Sequence, residues 1–169
     1  MKKIILKEEQ LHLLNESYVG ELYHFTNLEG IYGILKDNCI NVVLTDDEEV
    51  VCLSRTGNPY IGYCPNSESG LIFRITLDAD KMMSSIRGMK IKPWSNNNER
   101  TIKGFGGKYI SVSDYEEKAY ENIEPLDRYC KSIDIFPAIK DDELDNKQIN
   151  TIEKLIKDFP EWGEYFRFY

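Results

Sequence analysis

The sequence predicts an α+β domain built on a mostly antiparallel sheet with flanking helices. Two observations predict it: many short strand-like runs bounded by turn residues, and only a few stretches with helical periodicity. A third bounds it: the 169 residues contain no internal repeat, low-complexity tract or linker, so residues 1–169 read as one domain.

The elements follow in order. Lys7 to Glu16 reads as a packing helix, with Leu11 and Leu14 apolar. Glu21 to Phe25 then forms a short strand that runs into a helix. Thr26 is a suitable N-cap, with Glu29 at capping-box spacing. Leu28, Ile31, Ile34 and Leu35 fall on one helical stripe, and Asn38 stands where a left-handed residue often ends a helix. His24 is thereby placed at a strand end beside a helix N-terminus, a favourable setting for an anionic or ribose-bearing ligand.

Ile40 to Leu44 reads as a strand, Asp46 to Glu49 as an acidic solvated turn, and Val50 to Arg55 as a strand with a polar end. Residues 56–69 form a loop long enough to suggest function, with Tyr60 and Tyr63 available for stacking. Gly70 to Leu77 is the clearest strand, and Asp78 to Met82 begins a short helix. Gly88 to Trp94 alternates as a half-exposed strand, followed by a polar, glycine-rich loop over 95–108. Tyr109 to Val112 is expected to be extended. Ser113 to Ile123 is ambiguous, but alternation of Glu117, Ala119 and Glu121 fits a strand. Pro125 to Cys130 reads as a helical turn, and Lys131 to Phe136 as a strand. Asn146 to Asp158 is an amphipathic helix with Ile149, Ile152, Leu155 and Ile156 inward. Pro160 stops it, and an aromatic tail from Trp162 to Tyr169 packs as a flap on the body.

Composition excludes several classes. A net charge of −8 argues against a protein that coats nucleic acid nonspecifically. Residues 81–108 nevertheless carry seven basic residues and one acid, which suggests a local anion site. The N-terminal apolar run, Ile4-Ile5-Leu6, is too short for a signal peptide or a membrane span, so a cytoplasmic protein without membrane contact is expected. Cys39, Cys52, Cys64 and Cys130 lack CxxC spacing, and His12 and His24 are not spaced as ligands beside them. Reduced thiols and no metal site are expected.

Three features carry potential chemistry: His24, Ser54-Arg55 and Glu116-Glu117. In this order they resemble the ADP-ribosyltransferase fold, and the DarT-like branch in particular. Tyr23-His24-Phe25-Thr26, followed by Leu28 and Ile34-Leu35, resembles that branch's opening segment. Val51 to Arg55 is similar to its second strand, and Glu117-Lys118-Ala119-Tyr120, with Pro125, Tyr129 and Ile133 beyond, to the region of its catalytic glutamate. The resemblance spans about residues 20–136, leaving a C-terminal helix and aromatic tail over 141–169. It extends to small phage-encoded proteins, which would place the chain in a host cytoplasm.

The resemblance implies a split antiparallel sheet, NAD as cofactor, and transfer of ADP-ribose to a nucleic-acid base or a protein side chain. Glu117 is the implied catalytic carboxylate, with Glu116 second; on a strand only one of the two can face the cleft. Arg55 would pair with the diphosphate and His24 with a ribose hydroxyl, with Thr26, Ser54 and Tyr23 completing the cofactor site. Trp94 and Phe105 would stack on a nucleic-acid acceptor. Two other readings use the same fold. One is an inactive binding module of the phage anti-defence type, which captures a nucleotide or a host protein. The other is an RNA 2′-phosphotransferase, with Arg55 and Arg74 aimed at one phosphate.

Overall fold

The computed structural model describes residues 20–45, 48–60, 67–93, 101–103, 109–111 and 116–169. The expected helix over Lys7–Glu16 lies outside the described residues, as do Asp46, Asp47, Tyr63, Trp94 and Phe105 and the glycines at 104, 106 and 107.

The architecture is α+β, with an open, mostly antiparallel sheet and several helices. The strands are β1 (Glu21–Thr26), β2 (Val43–Thr45), β3 (Glu48–Ser54), β4 (Leu71–Asp78), β5 (Ile91–Pro93), β6 (Thr101–Lys103), β7 (Tyr109–Ser111), β8 (Glu116–Ala119), β9 (Cys130–Pro137) and β10 (Phe166–Phe168). The main sheet runs in the order β10-β9-β4-β1-β3-β8-β5, with β2 paired to β3; β6 and β7 form a separate pair. Its pairings are antiparallel except that of β10 with β9. That parallel pair is joined through a helix, as a parallel connection requires.

Among the described residues three α-helices accompany the sheet: α1 (Leu28–Asp37), α2 (Ala79–Ser85) and α3 (Asn146–Asp158). Cross-strand partners share a face, so the register sorts the side chains. One face carries Leu22, Val51, Leu53, Phe73, Ile75, Ala119, Ile133 and Ile135, and these pack into one core with Ile31 and Leu35 of α1 and Ile152 and Leu155 of α3. Val50, Ile72 and Phe136 are buried on the other face, outside that core. Strand β4 is buried on both faces along most of its length, with an apolar core face and a second face that carries Arg74, Thr76 and Asp78.

Several local expectations hold. Asn38 is left-handed at φ 50°, and its amide is bonded to Ile34 and Leu35 carbonyls. The short helix expected from Asp78 forms as α2, and the helix expected over Asn146–Asp158 forms as α3 with those bounds. Trp162 and Phe166 are buried, so much of the tail packs on the body, whereas Phe168 and Tyr169 are exposed.

Others are corrected. The N-cap of α1 is Asn27, not Thr26: Thr26 is the last residue of β1, and the Asn27 carboxamide accepts from the Gly30 amide at 2.9 Å. Glu29 therefore has no capping-box role, because Asn27 places Gly30 three residues on. Ile40 makes only an isolated bridge to Ile123, and the strand begins at Val43. Glu48 and Glu49 open β3 instead of a turn, with Glu48 bonded to Lys118. The strand over 88–94 shortens to β5. Ile149 is 40% exposed, because α3 presents mainly Ile152 and Leu155 to the core. Glu121 lies beyond β8 and is exposed, so it does not share a carboxylate face with Glu117.

Candidate functional site

Strands β1, β3 and β8 are adjacent, and their register assembles the site. Tyr23 pairs with Ser54, and Leu53 pairs with Glu117. His24, Leu53 and Glu117 therefore follow one another across three strands on the face that also holds the core. Arg55 lies two residues beyond Leu53 and keeps its parity. Its Nε donates to Glu117 Oε1. This contact closes over 62 residues of sequence. Of the predicted residues, His24, Thr26, Arg55 and Glu117 fall on this face.

Tyr23, Ser54 and Glu116 fall on the other face, since Ser54 is the cross-strand partner of both Tyr23 and Glu116. The pleat decides between the paired glutamates: Glu117 is with Arg55 and Glu116 is not. Ser54 has a local task, exchanging hydrogen bonds at 3.2 Å with the backbone of Thr56. Thr26 is buried against the first turn of α1, where a Cβ on Gly30 would meet its Oγ1 at 2.0 Å. Tyr60 donates to the Pro137 carbonyl at 3.0 Å, which ties its loop to β9.

The electrostatics are asymmetric. Glu117 is 2% exposed, and its Oε2 has no hydrogen-bond partner among the described residues. The Arg55 side chain is 46% exposed, so the pair sits at the boundary between interior and solvent. His24 is half-buried, and its Nδ1 lies 3.0 Å from the Cys52 carbonyl. A carbonyl only accepts, so Nδ1 carries the proton and Nε2 is the acceptor of the neutral ring. Burial holds the imidazole below its ordinary value, while the Cys52 carbonyl opposes that shift.

Sequence reasoning passed over Arg74 and Asp134 as a pair. Arg74 Nε and Nη2 donate to Asp134 Oδ2 at 3.1 and 3.0 Å, and Nη1 donates to the Gly57 carbonyl. Arg74 is the partner of Phe25 across β1, on the face opposite Glu117. It is therefore not aimed with Arg55 at one phosphate, which removes that arrangement from the phosphotransferase reading. The only signal in the sequence was a charged residue inside each of two apolar strands.

Among the described residues no three His, Cys, Asp or Glu side chains gather as a metal would need. No described helix is long and apolar enough to cross a membrane. The molecule is thus an α+β protein whose candidate site is a buried carboxylate bonded to an exposed arginine, with a histidine two strands away. No protein-family model, curated protein or solved structure matches the chain.

Proposed function

We propose that this chain is an NAD-dependent ADP-ribosyltransferase, whose acceptor is a nucleic-acid base or a protein side chain. The observation that carries the reading is the direct bond between Arg55 and Glu117 on the face shared with His24. The donor set fits the cofactor. Glu117 offers a carboxylate oxygen without a partner among the described residues, the His24 ring an acceptor nitrogen, and Arg55 a planar cation suited to a diphosphate.

NAD supplies a nicotinamide–ribose bond whose cleavage develops positive charge on the sugar. Glu117 stabilises that charge from a site where solvent screens it little. Its second oxygen accepts a ribose hydroxyl or takes a proton from the acceptor. His24 Nε2 would accept from a ribose hydroxyl. Arg55, whose side chain is 46% exposed, would hold the diphosphate. The resemblance implies a split sheet, whereas the strands of the main sheet form one continuous path, so topology does not carry the reading.

The test is incubation with labelled NAD and oligonucleotide or protein acceptors. Glu117→Gln is expected to lower transfer about 10²–10³-fold, whereas Glu116→Gln keeps most activity. Wild-type protein that neither binds nor consumes NAD would sink the reading. A second reading, a binding module without catalysis, draws on the 2% exposure of Glu117. It predicts that Glu117→Gln retains every partner of the wild type.

A further inference from the structure

Arg74 and Asp134 lie on the far face of the sheet from Glu117, yet they reach the loop that carries Arg55. Asp134 is 1% exposed. Its Oδ2 collects Arg74 Nε and Nη2, Thr76 Oγ1 at 3.3 Å and Ser132 Oγ at 3.0 Å. These bonds fix the plane of the guanidinium, which also lies over the rings of Tyr23 and Phe136 at 5.4 and 5.0 Å. With two nitrogens committed to Asp134, Nη1 is directed at the carbonyl of Gly57, two residues after Arg55.

The approach is close. A Cβ at Gly57 would lie 2.9 Å from Arg74 Nη1 and 3.1 Å from the Tyr23 ring. Bonds within the loop carry the constraint along the backbone: Thr56 to Ser54 Oγ, Asn58 to Thr56 Oγ1, and Tyr60 to Asn58 Oδ1. The stretch 55–60 is held at one end by β3, at Gly57 by Arg74, and at Tyr60 by Pro137.

We propose that Arg74 and Asp134 are positioning residues for Arg55: they anchor its loop from the opposite face and so keep its guanidinium on Glu117. The consequence for NAD rests on the transferase reading; the anchoring does not.

The test uses the full chain without NAD and reads exchange of the Arg55 Nε–H by nitrogen NMR. In Arg74→Met, Asp134→Asn and Gly57→Ala it is expected to rise about tenfold, while the backbone amides of β8 keep their wild-type rates. Gly57→Ala keeps both members of the Arg74–Asp134 pair, so the test survives if the other variants fail to fold. Unchanged Arg55 exchange in folded Gly57→Ala overturns the proposal, and so does a rise shared equally by the β8 amides. With NAD, the same variants are expected to raise KM about tenfold and leave kcat within about twofold. Wild-type protein without NAD turnover would end the transferase reading, yet the exchange result would still decide the anchoring.

Discussion

Arg55–Glu117 and Arg74–Asp134 are both ion pairs between an arginine and an almost fully buried carboxylate, on opposite faces of one sheet. In each, one carboxylate oxygen has no partner among the described residues. Their surroundings differ. Asp134 Oδ2 takes two further hydroxyl donors, and Arg74 has its third nitrogen on a backbone carbonyl and its plane over aromatic rings. Among the described residues Glu117 has Arg55 alone, and the Arg55 side chain is 46% exposed against 18% for Arg74. A network held at many points is rigid, and breaking it leaves a charge stranded in a low dielectric. A single bond to a solvated arginine can be exchanged for another anion. Arg74–Asp134 therefore belongs to the architecture, and Arg55–Glu117 is the pair that the proposed transferase reading uses for chemistry.

Stability measurements break this comparison most directly. Arg74→Met is expected to cost about 3–5 kcal/mol in urea unfolding, because it strands Asp134. Arg55→Met also strands a buried carboxylate, but water can replace the half-exposed guanidinium, so a smaller cost of about 1–3 kcal/mol is expected. Equal losses would erase the distinction between scaffold and site.

A smaller effect tests the wall beside His24. Gly30→Ala improves helix propensity, yet its new Cβ would overlap Thr26 Oγ1. A net loss of about 1–3 kcal/mol is expected, recovered in part when Thr26→Ala is added. A stabilised Gly30→Ala variant would mean that Thr26 has room to move.

The smallest expected effect is the pH dependence contributed by His24. Its folded value is depressed by burial, so the unfolded chain binds more protons as pH falls. The contribution to stability is complete above the unfolded value of about 6.5 and is lost on acidification toward the folded one. Wild type should lose slightly more stability than His24→Gln between about pH 7.5 and about pH 5.5. The opposite order would mean that the folded state favours the imidazolium.

What the sequence by itself determined was local. The apolar stripe of α3, the left-handed Asn38 and the helix after Asp78 each depend on residues within a few turns of one another. Their signals of periodicity and cap chemistry are complete in a short window. The same window placed the cap of α1 one residue early, since Thr26 and Asn27 are both good caps. Pairing of Thr26 with Phe73 in β4 chose between them.

The candidate site was legible only as residue types. That a strand shows Glu116 and Glu117 to opposite faces follows from the pleat, but which one meets Arg55 depends on register with β3. Likewise Arg55 and Arg74 looked equivalent as strand cations. Only the sheet order sent one to Glu117 and the other to Asp134, 60 residues away in sequence. Cross-strand pairing joins residues far apart in the chain, and a shift of one residue would exchange the faces. Sequence fixes the donors and acceptors available; tertiary register decides which of them meet.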